Sequence, residues 1–141
     1  MAALEAWDLV MQMRCILLSV YDDAILELET LQLQPKTFTL LASIIRFPHP
    51  AELAKHLFVP PSTITFMVKQ LEALGLLERQ TEPGDLRRYR LQLTGKGRQA
   101  VTKGQAIVDR IMREKLSRLE KSEVKHLKEI LSELQPKKVA S

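Results

Sequence analysis

Apolar residues recur at helical spacing along most of this chain. From Leu4 to Leu31, Leu4, Trp7, Met11, Leu18, Tyr21, Ile25 and Leu28 follow a heptad that Arg14 interrupts. Val10, Met13, Leu17, Val20, Ala24 and Leu31 form a second set beside it. One long helix is predicted, with an apolar stripe wider than a lone surface helix needs. Such a stripe fits packing against its own domain and against a second chain. Pro35 then opens another helix, at the position where a missing N–H costs nothing, with Phe38, Leu41, Ile44 and Ile45 as its core face. Phe47-Pro48-His49-Pro50 is a break. Pro50 starts a short helix packed through Leu53, Ala54 and Leu57. Pro60-Pro61 opens the next, with Ile64, Met67 or Val68, Leu71 and Leu74 facing inward and Gly75 as a left-handed stop.

The period then shortens. Leu76 to Gln80 and Arg88 to Leu93 read as two strands, joined by a loop from Thr81 to Arg87 that contains the turn signal Pro83-Gly84-Asp85. Thr94 caps a helix running to about Leu119, whose first turns are weakened by Gly95, Gly97 and Gly104. Ser122 is the expected N-cap of a last helix carrying Val124, Leu127, Ile130, Leu131 and Leu134, which Pro136 ends, leaving Lys137 to Ser141 frayed. The expected fold is mainly α with a small β-hairpin wing: a winged helix-turn-helix domain flanked by N- and C-terminal dimerisation helices. The division is 1–34 for the first dimerisation helix, 35–98 for the winged domain, 99–135 for the C-terminal dimerisation helices and 136–141 for a flexible tail. The architecture offers one helix to a DNA major groove and a hairpin to the flanking backbone. Amphipathic terminal helices on so small a domain point to a homodimer.

Charge sharpens this picture. The chain of 141 residues carries a net charge of +4, unevenly placed. Up to Gln34 there is one base against six acids; from Pro35 to Arg98 there are ten bases against five acids. A basic middle fits a nucleic-acid face. Aromatics make up only 5%, too few for the stacking platforms that hold single strands. No apolar run reaches the roughly 18 residues of a bilayer span, and the N-terminus lacks a signal-peptide pattern, so the protein is expected to be cytoplasmic. No phosphate loop, Ser/His/Asp set or carboxylate pair is evident, so no enzyme and no cofactor are expected. His49, Glu52 and His56 could share a helix side at i, i+3 and i+7, but without a further ligand they make no metal site. Cys15, the sole cysteine, excludes an internal disulfide. Among apolar neighbours it reads first as a small core residue; the sharper reading is a redox sensor, which needs an accessible thiolate.

Within the middle segment, Leu33-Gln34-Pro35, Glu52-Leu53-Ala54, Ser62-Thr63-Ile64-Thr65, Leu71-Glu72-Ala73-Leu74-Gly75-Leu76 and Asp85-Leu86-Arg87 ahead of Leu93-Thr94 stand in order. On these landmarks the chain resembles the MarR family of bacterial transcription regulators from Leu33 to Leu134. The resemblance implies a homodimer on a pseudo-palindromic duplex-DNA operator, more often a repressor, which many members release on binding a small, often phenolic, ligand. It also implies that Asp85 pairs with Arg87 and fixes its fork for a minor-groove or backbone contact. A departure stands at Phe66, where relatives often carry a basic residue; Phe66 either packs on thymine methyls or is buried.

Read from the residues, the helix from Pro61 to Leu74 turns Ser62, Thr63, Thr65, Lys69 and Gln70 outward, groups suited to base edges and phosphates. Arg87 and Arg88 are the wing residues expected on DNA. The alternatives are capping by Ser62, solvated charge, and an exposed ion pair in the wing. Trp7, Met11, Tyr21 and Phe38 are candidates for an effector pocket. Three other functions remain open. One is a winged-helix module that binds protein, motivated by Phe66. Another is a redox-sensing regulator using Cys15, although Cys15 lies nearer Leu33-Gln34-Pro35 than in peroxide-sensing relatives. The last is a ligand-free DNA-binding protein.

Overall fold

The computed structural model describes residues 2–137, excepting the side chains of Leu86 and Arg87. In chain order the elements are α1 (Glu5–Glu29), α2 (Pro35–Ser43), α3 (Pro50–Leu57), α4 (Pro61–Ala73), β1 (Leu77–Glu82), β2 (Asp85–Leu93), α5 (Gly95–Leu116) and α6 (Lys121–Glu133). Six helices thus surround one antiparallel hairpin, as the periodicity predicts. Prolines stand at the first position of α2, α3 and α4, where their fixed φ suits the helix.

One core joins the central elements. Leu28 and Leu33, Leu40 and Leu41, Leu53, Ile64, Val68 and Leu71, and Leu76 and Leu91 are almost completely buried. Both Met67 and Val68 face inward on α4, where the sequence left the choice open. Ile45 does not join them: it is 74% exposed, and Leu40 takes a core place instead. The reason is that α2 stops at Ser43, so Ile45 falls in the following turn and off the helical stripe.

The hairpin is longer than its sequence suggests. Both strands extend through polar residues, and Pro83-Gly84 alone makes the turn, with Gly84 at φ +85°. Leu77 pairs with Leu93 and Thr81 with Tyr89, then a register shift brings Glu82 opposite Asp85. Apolar alternation could not mark the outer part, because it has few apolar residues to alternate. The start of α6 also differs: its N-cap is Glu120, not Ser122, and the Glu120 N–H donates to the Glu123 carboxylate at 3.2 Å in a capping box. The segment 138–141 of the expected tail lies outside the described residues.

α4, the wing and α5 meet at one joint. Gly75 takes φ +72°, and the Leu76 N–H returns to the Leu71 carbonyl at 3.0 Å while the Gly75 N–H reaches Glu72 O at 2.9 Å. These two bonds are a Schellman stop, which only a left-handed residue allows. The Thr94 hydroxyl donates to Gly75 O at 2.6 Å and accepts from the Gly97 N–H at 3.0 Å. The Thr94 N–H donates to Leu76 O at 3.1 Å, and Lys96 Nζ donates to Leu74 O at 2.9 Å. Gly97 sits so close that a Cβ would stand 1.9 Å from Leu76 O. Further along α5, a Cβ on Gly104 would stand 2.4 Å from the Phe38 ring, so α5 lies hard against α2. Both glycines weaken the helix locally but permit these approaches.

α1 and α6 are different. Val20, Ala24 and Leu28 bury the second half of α1, where Asp23 and Glu27 also meet Lys115 and Arg110 of α5. The acids of the first helix therefore partly serve this internal seam. The first half of α1 is bare, with Trp7, Val10, Met13, Ile16 and Leu17 all about half exposed. α6 buries no residue at all, and Ile130, Leu131 and Leu134 lie open.

The joint gives the first prediction. Gly97→Ala should cost about 1–3 kcal/mol, because the clash is with backbone that cannot rotate away. Urea unfolding followed by circular dichroism checks this; an unchanged midpoint would show that the joint can open without loss.

Candidate nucleic-acid interface

α3, a turn at Phe58-Val59-Pro60, and α4 form the helix-turn-helix. Phe58 closes α3 in the left-handed region at φ 55°, and the Val59 N–H donates to Ala54 O at 3.1 Å, which turns the chain sharply into α4. The buried stripe Ile64, Met67, Val68 and Leu71 fixes the rotation of α4. Its opposite face then presents Ser62, Thr65, Phe66, Lys69 and Gln70 to solvent. Thr63 is the exception among the expected outward residues. It is half-buried, because it shares a side with buried Met67 at i, i+4.

Two local details set the chemistry of this face. The N-cap of α4 is Pro60, so Ser62 is a first-turn residue and not a cap. The Thr65 hydroxyl donates to Pro61 O at 3.1 Å, which leaves its oxygen to accept and its methyl as a contact group. Phe66, which the sequence allowed to be either buried or outward, is 63% exposed. Glu72, the only acid of α4, is held by Arg79 at 2.8 Å. The outward face therefore carries no acid and one base, Lys69.

The wing stands beside it. Along β2, Tyr89, Leu91 and Leu93 turn toward the body, while Arg88, Arg90 and Gln92 are exposed. Asp85 is exposed at the start of β2. Its expected pairing with Arg87 rests on a side chain outside the described residues. Two contacts tie the wing to the helices. Arg79 bridges from Glu72 on α4 to the face of Tyr89, its guanidinium carbon 4.7 Å from the ring centroid. On the other side, His49 Nε2 lies 2.7 Å from Glu82 Oε1, and the Leu91 N–H donates to Pro48 O at 2.7 Å. His49 is thus a strut between the α3 entrance and the wing. The sequence offered no signal for it beyond an isolated histidine, since its partner lies 33 residues away. His56 stacks on Phe47 at 4.3 Å between ring centroids. Among the described residues, no group of three or more His, Cys, Asp or Glu is placed to hold a metal.

A cavity of about 660 Å³ opens between α1, α2 and the α3–α4 turn, lined by Leu18, Tyr21, Ile25, Thr39, Val59 and Met67 among others. Thr39 Oγ1 donates to the Tyr21 hydroxyl at 3.2 Å on its wall. Of the four pocket residues expected from sequence, only Tyr21 lines it. Phe38 is core against Gly104, and Trp7 and Met11 lie higher on α1. Cys15 is exposed, not part of the core, because the chain packs nothing against that stretch of α1. No helix among the described residues is long and apolar enough to cross a membrane.

The architecture defines a winged helix-turn-helix protein, and comparison with known proteins narrows the class. The model of the MarR family matches residues 31–88. Wild-type MarR from E. coli in its apo form is similar with a TM-score of 0.78 and 25% identity, over 91% of this chain and 97% of that one. A mutant E. coli MarR complexed with operator DNA gives 0.76 and 25%, over 94% and 97%. The transcriptional regulator Tm0710 from Thermotoga maritima gives 0.62 and 29%, over 92% of each chain. Comparison with curated proteins returned no match. The family model thus covers the central part of the chain, and the chain as a whole has the fold of these MarR-type transcription regulators.

The His49 strut is open to test. His49→Ala should speed amide exchange in β1 while changing global stability by less than about 1 kcal/mol, since the pair is partly exposed. Hydrogen–deuterium exchange beside urea unfolding reads both quantities. Unchanged exchange would mean that the wing keeps its place without this contact.

Proposed function

We propose that the protein is a homodimeric transcription regulator that binds a pseudo-palindromic duplex operator and acts as a repressor released by a small ligand. The observation that carries this reading is the acid-free outward face of α4 standing beside an arginine-lined wing. In this reading Ser62, Thr65, Lys69 and Gln70 meet base edges and phosphates in the major groove, with half-buried Thr63 at the margin. Arg87, oriented by Asp85, and Arg88 hold the flanking backbone or minor groove. A similar E. coli MarR is complexed with operator DNA, which supports duplex DNA as the partner.

The homodimer is supported by the bare apolar faces of α1 and α6. A helix of about 15 residues with no tertiary support is marginal in water, so the first half of α1 needs a surface to lie on. A second copy supplies one with twofold symmetry, and brings two α4 helices to major grooves about one turn apart, near 34 Å. The effector reading is supported by the cavity at Tyr21. Its apolar wall with hydroxyls at Tyr21 and Thr39 suits a small aromatic ligand of the phenolic kind. Because the cavity touches both α1 and the α3–α4 turn, a ligand with unequal affinity for two α4 spacings would shift their populations.

Fluorescence anisotropy against the protein's own upstream DNA and a scrambled duplex, over a salt series, tests DNA recognition. Arg88→Ala should weaken both complexes and lower the salt slope by about one. Equal binding of the two duplexes, or none, would favour a protein partner for the same face. Association is tested separately by Leu17→Glu, at a position 55% exposed in the single chain. Sedimentation velocity should show a dimer for the parent and a folded monomer for the variant; an unaltered mass would place the interface elsewhere.

A further inference from the structure

We infer that Phe66 is a specificity-determining residue that reads a thymine methyl group in the major groove, so that the protein selects an A·T pair within each half-site. The inference rests on the DNA-binding reading above. Phe66 lies in the middle of the outward face of α4, 63% exposed, with Ser62 and Thr65 before it and Lys69 and Gln70 after it. The residues that bury the other side of α4 lock its rotation, so this ring cannot turn into the core without displacing Ile64 or Met67. A large aromatic at this point has no donor to offer a phosphate or a guanine edge. Its one favourable use in a major groove is apolar contact, and thymine alone among the bases presents a methyl there.

The neighbouring Thr65 fits the same base pair. Its hydroxyl proton is committed to Pro61 O at 3.1 Å, so toward solvent it offers an acceptor and a methyl. An acceptor beside an apolar ring matches an adenine N6 donor and a thymine methyl in one pair; a G·C pair also offers a donor at cytosine N4 but has no methyl, so the ring carries the discrimination. The occupant of the face is argued to be nucleic acid by charge. Glu72 is neutralised by Arg79, Lys69 stands on the same face as the ring, and Arg88 and Arg90 are exposed on the wing. An apolar group within such a field gains from contact with a polyanion only if the base edge it meets is itself apolar.

The experiment compares two chemically minimal changes. The protein's upstream duplex is prepared with thymine and with every thymine replaced by deoxyuridine, which removes the methyl groups and keeps the pairing. Wild type and Phe66→Ala are titrated against both by anisotropy at one salt concentration, with circular dichroism confirming that the exposed substitution leaves the fold intact. Wild type should lose about fourfold per contacted methyl, or about fifteenfold over two half-sites, on the deoxyuridine duplex. Phe66→Ala should bind the thymine duplex about as weakly as wild type binds the deoxyuridine one, and should discriminate between them much less. Any change in DNA shape caused by the replacement acts on both proteins, so the difference between their ratios isolates the ring. Phe66→Leu, which keeps an apolar group, should retain part of the discrimination. Specific binding by wild type with no loss on deoxyuridine, or a Phe66→Ala variant that keeps the full loss, would overturn the assignment while leaving DNA binding intact. Absence of specific duplex binding by wild type would overturn both readings.

Discussion

The Schellman stop at Gly75 and its bonds to Thr94 set the direction of everything that meets DNA in this reading. The last turn of α4 has carbonyls that need partners. They receive them from the left-handed turn at Gly75 and the ammonium of Lys96, while the Thr94 hydroxyl holds the Gly75 carbonyl just beyond the helix. Because Thr94 also caps α5, the stop of the candidate recognition helix and the start of α5 share one residue. β1 leaves from this joint and β2 returns to it, so the wing inherits its angle from the same few bonds. Gly97 is the steric condition for the arrangement, and helix propensity is given up there to allow a backbone approach that no side chain would permit.

On that frame the winged unit divides into a rigid base and an outer part held by polar contacts. The base is apolar: Leu76, Leu77, Leu91 and Leu93 are buried in the common core. Beyond it the hairpin has no second layer. Its position depends on the His49–Glu82 contact on one side and on the Glu72–Arg79–Tyr89 chain on the other. Contacts of this kind are individually weak at a surface. They suit an element that must meet a partner with some freedom, since opening them costs little compared with opening the core. Arg79 also removes the one negative charge of α4 from play, so the same ion pair that steadies the wing shapes the electrostatics of the α4 face.

The molecule divides into a packed unit and less covered arms. Its winged unit is well buried, yet the first half of α1 and the end of α6 leave apolar surface exposed. The cavity at Tyr21 sits at the boundary between these two regions, where α1 passes from bare to packed. A molecule bound there touches the arm on one wall and the entry to α4 on the other. In the proposed function that placement would couple association, ligand and DNA, because the cavity is walled by α1 and α2 together with the turn that leads into α4.

Much of this could be read from sequence, for local reasons. Proline at three helix starts, glycine at the α4 stop, and threonine before α5 act through their own backbone geometry, so they mean the same thing in any surroundings. The alternation of buried and outward residues on α4 follows from 3.6-residue periodicity, which is why Ser62, Thr65, Lys69 and Gln70 could be placed outward and Ile64 and Leu71 inward. Asp85-Leu86-Arg87 and its neighbouring motifs carried the resemblance to the MarR family. What the sequence left open depended on partners far along the chain. Whether Phe66 faced out and which residues walled a cavity were decided by the rotation of packed helices, which also half-covers Thr63, expected outward from the sequence. The strut from His49 to Glu82 needed the wing to fold back over α3, and the close approach at Gly97 needed α5 to cross Leu76. Cys15 read as a core residue because its neighbours are apolar, but only tertiary packing determines whether an apolar stripe is covered by its own chain. Periodicity shows that a face is to be buried; the positions of all the other elements decide against what.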